Sequence, residues 1–439
     1  MPGPLAHRGL TVNQMVGHLF YTTEGVFGIP MGVSSTFIFL FILFGAYLEK
    51  TGLGKFFIDI ANAIAGWASG GPAKVAVISS ALQGTISGSS VANVVGSGSF
   101  TIPMMKKTGY KPEFAGAVEA AASTGGQIMP PIMGAAAFLM AEYMNIPYAK
   151  VAVKAILPAV LYFTGIFIAV HLEAKKLGLK GMPKSEMVSW GELAKRAYLI
   201  IPLALLIFLV SSGSRTMQFS AAVSILAAIV VGFLNKDERL TFGKIVEALE
   251  AGAKGAITVA VACAMAGMIA GCITVTGLAS ILINAIVQMA GDATMIGLLL
   301  TMICCIVLGM GVPTTANYII MATTCAPILA SGMGLNLMAA HMFCFYFGIV
   351  ADITPPVALA AYAGSAIAKA PPMKTAWNAT RLAIAAFIIP YIFAYNNALI
   401  FVGSDVKFLS VASIVISATL GMASIASGPV SYTHLTLPT

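Results

Sequence analysis

The stretch Gly84-Thr-Ile-Ser-Gly-Ser-Ser-Val-Ala-Asn93, followed by Gly125-Gly-Gln-Ile-Met-Pro-Pro131, decides how the chain is read, because the pair occurs twice. The second copy runs Gly309-Met-Gly-Val-Pro-Thr-Thr-Ala-Asn317 and then Ala351-Asp-Ile-Thr-Pro-Pro356. Thr51-Gly52-Leu53 also returns as Thr276-Gly277-Leu278. The offsets agree at 225 (276 − 51), 224 (317 − 93) and 225 (355 − 130). Three unrelated short strings that keep one order and one spacing identify two copies of one structural unit.

Composition says where those units sit. Of 439 residues, 59% are hydrophobic and 9% charged, with a mean hydropathy of +0.92. An ordinary soluble domain carries about 25% charged residues, so this chain belongs in a bilayer. Long apolar runs separated by short polar breaks specify helices, since the strands of a membrane barrel would alternate. A net charge of +8 would suggest nucleic acid for a soluble protein. Here it reads as orientation, because basic residues gather in cytoplasmic loops, and no nucleic-acid partner is expected. Six cysteines (Cys263, Cys272, Cys304, Cys305, Cys325, Cys344) lie in apolar segments without metal-ligand spacing, and read as small apolar residues. Residues 1–30 lack a basic start followed by an apolar core, so no signal peptide is read there.

Taken in order, residues 1–30 form an amphipathic, interfacial lead-in. Residues 31–171 are the first unit: a spanning helix at 33–48, a short surface segment at 56–68, a re-entrant hairpin at 73–105, a broken crossing at 113–144 and a helix at 149–171. Lys74 and Lys106-Lys107 flank the hairpin, placing both its ends on one side. Residues 172–244 are a basic cytoplasmic linker (173–196), a connecting helix pair and a second basic loop carrying Lys236, Arg239 and Lys244. The second unit, 245–401, repeats the plan with a helix at 256–275, a surface segment at 278–290, a hairpin at 295–329, a broken crossing at 335–368 and a helix at 379–401. A C-terminal helix fills 402–428. The tail 429–439 continues no pattern and is given no function. Counting crossings makes unit two start on the side opposite to unit one, so the repeats are inverted. The first hairpin then opens to the cytoplasm and the second, with only Asp292 nearby, to the outside.

Broken helices need a reason. A helix end leaves about four unpaired backbone groups, each costing several kcal/mol in hydrocarbon, so irregular backbone survives at depth only in a cavity or inside protein. Inverted repeats with interrupted helices are the pattern of secondary transporters, which bind at the repeat interface near the midplane. Ser87, Ser89, Ser90, Asn93, Thr314, Thr315 and Asn317 offer neutral oxygens there, and the carbonyls at Gly125-Gly126 and Ala351 offer more. Such a set suits a small hard cation, while half-helix N-termini favour a carboxylate. The bland alternative is close helix packing by small residues. A single charge at the bilayer centre costs about 2.5–3.5 kcal/mol, which makes Asp352 and Glu119 the candidates for proton coupling. Gln127 stands where Asp352 stands in the other copy (352 − 127 = 225). Glu142 and Lys154 are nearer helix ends and read as snorkelling, and His341 as a buried neutral side chain.

At these residues the chain resembles the large membrane subunit of the tripartite ATP-independent periplasmic (TRAP) transporters. The strings at 125–135 and 351–360, with Phe39-Leu-Phe-Ile-Leu-Phe-Gly-Ala-Tyr-Leu-Glu-Lys-Thr51, look like the fused permeases of the TAXI group, over roughly residues 7 to 428. The resemblance implies an elevator-type symporter of the bacterial cytoplasmic (inner) membrane. An extracytoplasmic solute-binding protein would deliver an organic acid, and a Na+ or H+ gradient would drive its import with no other cofactor or metal. One cation site would then involve Ser87, Ser90, Asn93 and the Gly125 carbonyl, the other Thr314, Thr315, Asn317 and the Ala351 carbonyl. The substrate would sit between the hairpin tips, against Ser89, Gln127, Pro130, Pro131, Pro355 and Pro356. Fused members carry a small-subunit region ahead of this part. Either a partner supplies those helices or the chain is a fragment.

Two other functions are compatible with a polytopic membrane chain. An enzyme is disfavoured because the chain has no Gly-x-Ser-x-Gly, His-Glu-x-x-His or Walker lysine. A channel would conduct without saturating and ignore a binding protein, whereas two hairpins facing opposite sides suit alternating access.

Overall fold

The computed structural model describes residues 9–183, 187–291, 293–403 and 406–432, the last by backbone alone after residue 426. Lys184, Asp292 and the end of the tail therefore lie outside the described residues. Among those described, every regular element is helical.

A capping box, in which Thr11 and Gln14 satisfy each other's backbone donors, starts α1 (Val12–Tyr21). Its residues are largely exposed. Helix α2 (Ile29–Lys50) has Pro30 in its first turn, passes through a π-helical turn at Ser34–Ile38 and stops at Thr51-Gly52. Gly52 has φ +79°, the left-handed region that glycine reaches without a side-chain clash. Next come the short α3 (Leu53–Ala65) and the hairpin arms α4 (Gly71–Ser87) and α5 (Ser90–Thr108), which turn at Gly88 (φ +60°). The first broken crossing is α6 (Pro112–Gly126) and α7 (Ala135–Tyr143), and α8 (Tyr148–Lys176) closes the unit. A helix pair, α9 (Trp190–Ser212) and α10 (Met217–Leu234), leads on to α11 (Phe242–Thr276).

The plan then recurs as α12 (Leu278–Ala290), the hairpin α13 (Thr294–Gly309) and α14 (Thr314–Pro327), the broken crossing α15 (Leu337–Val350) and α16 (Leu359–Ala368), and α17 (Pro372–Tyr395). From α12 to α17 each helix begins 223 to 225 residues after its counterpart in α3 to α8. Helix α18 (Phe408–Tyr432) ends the described chain. Among the described residues seven helices (α2, α8, α9, α10, α11, α17, α18) are long and apolar enough to cross a membrane.

Packing follows the same duplication. In each unit both hairpin arms lie on the first half of the broken crossing: α4 and α5 on α6, α13 and α14 on α15. The second arms also cross over, α5 onto α16 and α14 onto α7. The buried centre is α6, rich in Ala, Gly, Ser and Thr, together with the aromatic-rich α15. Small residues let backbones approach closely where lipid supplies no hydrophobic drive between helices. A Cβ at Gly84 would run into the Gly126 Cα. The equivalent glycine 225 residues on, Gly309, would place its Cβ 3.0 Å from that of Ala351, the counterpart of Gly126. Phe208, Leu226, Val230 and Phe233, by contrast, point outward from α9 and α10, as lipid-facing side chains do.

Several helices begin or end away from where the pattern puts them. Helix α11 starts at Phe242, not Ala256, because its charges are partnered: Thr241 caps it, Lys254 pairs with Glu250 at 2.6 Å, and Glu247 reaches Lys50 at 2.8 Å. Lys244 is thus helical and the second basic loop is short. In the basic linker, α8 continues to Lys176 and α9 begins at Trp190, capped by Ser189. An Arg196–Asp59 ion pair of 2.9 Å fastens that linker to α3. Helix α17 starts at Pro372, is interrupted at Ala383 and gives way to a 3-10 turn at Asn397–Ile400.

Candidate functional site

The four helix interruptions converge on one carboxylate. Asp352 lies just past the end of α15 and is 6% exposed. Its Oδ2 accepts hydrogen bonds from Ser90 Oγ at 2.7 Å, Gln127 Nε2 at 3.1 Å and Thr314 Oγ1 at 3.3 Å. Ser90 opens α5, Thr314 opens α14 and Gln127 follows α6. The two positions matched by spacing alone, 127 and 352, are therefore in direct contact. Both second hairpin arms also begin at the residue that binds the carboxylate, so two positive helix ends sit beside it. No basic side chain pairs with Asp352 among the described residues. Neutral donors and backbone dipoles surround the carboxylate.

One turn into each second arm stands an asparagine. Asn93 donates Nδ2–H to the Ser80 carbonyl at 3.0 Å, and Asn317 donates to the Gly348 carbonyl at 3.0 Å. A carbonyl accepts only, so these bonds fix which end of each amide is nitrogen. The Oδ1 atoms of Asn93 and Asn317, both buried, are left without a hydrogen-bond partner, as are Gln127 Oε1 and Thr124 Oγ1. A buried acceptor without a donor costs about 1–3 kcal/mol. An unhydrated cation is a partner that would remove the cost. The Gly125 carbonyl accepts Ile128 N–H at 3.1 Å and the Ala351 carbonyl accepts Thr354 N–H at 3.4 Å. A carbonyl has two lone pairs, so one turn bond leaves each able to serve a second partner.

Other residues read from the sequence take lesser places. Ser87 and Ser89 are exposed at the first hairpin turn, where the Ser89 hydroxyl caps α5 through Ala92 N–H at 3.4 Å. Thr315 is half-buried beside Thr314. Pro130, Pro131 and Pro355 are half-buried and Pro356 exposed; both Pro-Pro peptides are cis. Lys154 is half-buried, and its ammonium reaches the carbonyls of Ile400 at 3.4 Å and Phe401 at 2.7 Å, which end the 3-10 turn. His341 Nδ1 sits 2.8 Å from Tyr318 OH. The cysteines are all free, and among the described residues no group of three His, Cys, Asp or Glu could hold a metal.

Glu119 lies fully buried in a second polar pocket that motif reading did not resolve. Ser80 Oγ donates to it at 2.7 Å and Ser123 Oγ at 3.2 Å, and the Ser97 and Thr101 hydroxyls also reach its carboxylate. Ser97 and Thr101 share one face of α5 at i, i+4, and Ser123 follows Glu119 by four on α6. That helical spacing was the available signal. Ser80 links the two pockets, since its hydroxyl serves Glu119 and its carbonyl holds Asn93.

The architecture defines a multi-pass helical membrane protein whose polar groups gather where its helices are interrupted. The chain belongs to the family described as the tripartite ATP-independent periplasmic transporter, DctM component, whose model matches residues 6–408. It is accordingly a permease-family protein of the bacterial inner membrane and not an enzyme. It is similar to the C4-dicarboxylate TRAP transporter large permease protein of Pseudomonas aeruginosa, at 29% identity over 46% of this chain and 47% of that protein. It is also similar to the sialic acid TRAP transporter large permease protein of Vibrio cholerae, at 24% over 75% and 77%. The isethionate TRAP transporter permease protein of Oleidesulfovibrio alaskensis matches at 24% over 75% of this chain and 52% of its own length. The chain thus spans about half the length of the first and third of these relatives.

Proposed function

We propose that the chain is the large membrane subunit of a secondary symporter that imports an organic acid, coupled to a cation gradient. An extracytoplasmic solute-binding protein delivers the solute, and a small membrane subunit, or helices joined ahead of this part, completes the permease. The names of the relatives, which specify C4-dicarboxylate, sialic acid and isethionate, support an anionic solute. The two units run in opposite directions across the bilayer, and the solute enters between the turns of the two hairpins.

One observation carries the reading: two asparagines 224 residues apart (317 − 93) each bury an amide oxygen that has no donor. Each oxygen lies one turn inside a hairpin arm and close in sequence to hydroxyls, Ser87 and Ser90 in one case, Thr314 and Thr315 in the other. With the Gly125 and Ala351 carbonyls these make two oxygen sets of one design, suited to Na+. Asp352, bonded to residues from both hairpins, then senses how both sets are filled, and Glu119 is a second group able to carry a proton.

Binding of radioactive sodium to the purified chain tests this without knowledge of the solute. Saturable binding is expected, weakened in Asn93→Ala and in Asn317→Ala. Sodium flux that never saturates, and binding unchanged in both variants, would favour a channel instead.

A further inference from the structure

Away from the helix interruptions, a cavity of about 600 Å³ opens between the end of α3, the start of α4 and the last turns of α8. Trp67, Lys74, Ile78, Phe167, His171 and Lys175 line it. Lys74 is 3% exposed, its Nζ is 2.9 Å from His171 Nδ1, and it lies 5.4 Å from the centre of the Phe167 ring. An ammonium only donates, so His171 Nδ1 accepts and its Nε2 is left as a second donor. The nearest polar partner of this buried cation is therefore another base. Among the described residues no carboxylate forms an ion pair with Lys74 or Lys175. A buried charge is stable only when it is paired, and here three basic groups face one space.

The rest of the wall is apolar. It includes Ile64, Ile168 and the faces of Trp67 and Phe167. A free anion gains nothing from such a wall, whereas an acyl chain does. The cavity also sits at the end of a 29-residue spanning helix that runs on into Lys175 and Lys176, and a helix of that length, about 43 Å, reaches the headgroup region.

We propose that this cavity binds the phosphate of an anionic phospholipid, with the headgroup on Lys74, His171 and Lys175 and an acyl chain along Ile64, Ile78 and Phe167. Basic pockets between spanning helices hold such headgroups, each lysine adding a comparable share of the binding. The chain then carries a lipid-dependent element at the base of its first hairpin, independent of the solute and cation sites.

Trp67 provides the readout. The chain has three tryptophans, so Trp190→Phe with Trp377→Phe leaves Trp67 alone as the fluorophore. The doubly substituted chain is reconstituted in phosphatidylcholine vesicles containing either brominated phosphatidylglycerol or brominated phosphatidylcholine. Quenching at a clearly lower mole fraction of phosphatidylglycerol is expected, and Lys175→Gln, at an exposed position, reduces that preference about fivefold. Lys74→Met reduces it further if that variant folds; if it does not, Lys175→Gln decides. Equal quenching by both lipids, or a preference unchanged in Lys175→Gln, overturns the proposal. A preference abolished by excess inorganic phosphate assigns the site to free phosphate and overturns the lipid; one that survives supports it.

Discussion

At the residue scale the decisive contrast is between Asn93, Asn317 and Asp352. Each asparagine has its nitrogen committed to a backbone carbonyl, so truncation to alanine removes one tether and one free oxygen together. Asn93→Ala and Asn317→Ala are expected to raise the half-saturating sodium concentration by about tenfold or more, the effect of roughly 1.4 kcal/mol. Both should still migrate as a single folded species in size-exclusion chromatography. Asp352→Asn retains an oxygen acceptor for Ser90, Gln127 and Thr314 and cannot take up a proton. Its expected outcome is solute uptake in proteoliposomes that has lost its pH response while sodium still stimulates it; a wild-type pH profile would remove Asp352 as the proton carrier. Duplication made the asparagines legible, because a buried Asn that returns at a fixed spacing is hard to assign to packing; Asp352, whose counterpart is Gln127, was legible as a lone charge in an apolar run. The pocket around Glu119 was not legible in that way. Ser80, Ser97, Thr101 and Ser123 are small residues scattered among alanines and glycines. Only three-dimensional convergence separates a hydroxyl that solvates a carboxylate from one that lets helices touch.

Among the elements, the contact of α4 with α6 and its counterpart, α13 with α15, share one design but differ in what the small residue meets. A Cβ on Gly84 would collide with backbone, the Gly126 Cα. A Cβ on Gly309 would stand 2.5 Å from Asn317 Nδ2 and 3.0 Å from the Ala351 Cβ. Backbone cannot yield, and a side-chain amide can. Gly84→Ala should therefore destabilise the protein by about 1–3 kcal/mol, read as a lower thermal unfolding midpoint in detergent. Gly309→Ala should lose less stability and more sodium affinity, because the displaced group is the amide of Asn317. Equal stability losses with unchanged sodium binding in both variants would show that the two contacts are not functionally distinct. Helix ends were harder to foresee than breaks. Glycine and proline mark an interruption directly, but the start of α11 depends on charge pairs that reach another helix, such as Glu247 with Lys50. A sequence window sees those charges only as a reason to leave the membrane.

For the whole molecule, the question is whether the second unit runs opposite to the first. The reciprocal packing, with α5 on α16 and α14 on α7, is what a two-fold relation between the units produces, and contact between positions 127 and 352 puts that pair beside the axis. The direction of that axis relative to the bilayer decides the topology. An axis in the membrane plane inverts the second unit, and an axis along the membrane normal leaves both units facing the same way. The two cases differ at the hairpin mouths. Lys111 follows the first hairpin, Ala293 precedes the second, and both are exposed. Lys111→Cys and Ala293→Cys, each on a background with the six native cysteines replaced, can be probed with a membrane-impermeant maleimide in right-side-out and inverted vesicles. Inversion predicts that Lys111→Cys labels only in inverted vesicles, with the lysine-rich loops, and that Ala293→Cys labels only in right-side-out ones. Labelling of both from one face would make the repeats parallel. Hairpins facing opposite sides would then be excluded, and carrying a cation across would need the rocking of one unit against the other that parallel repeats use.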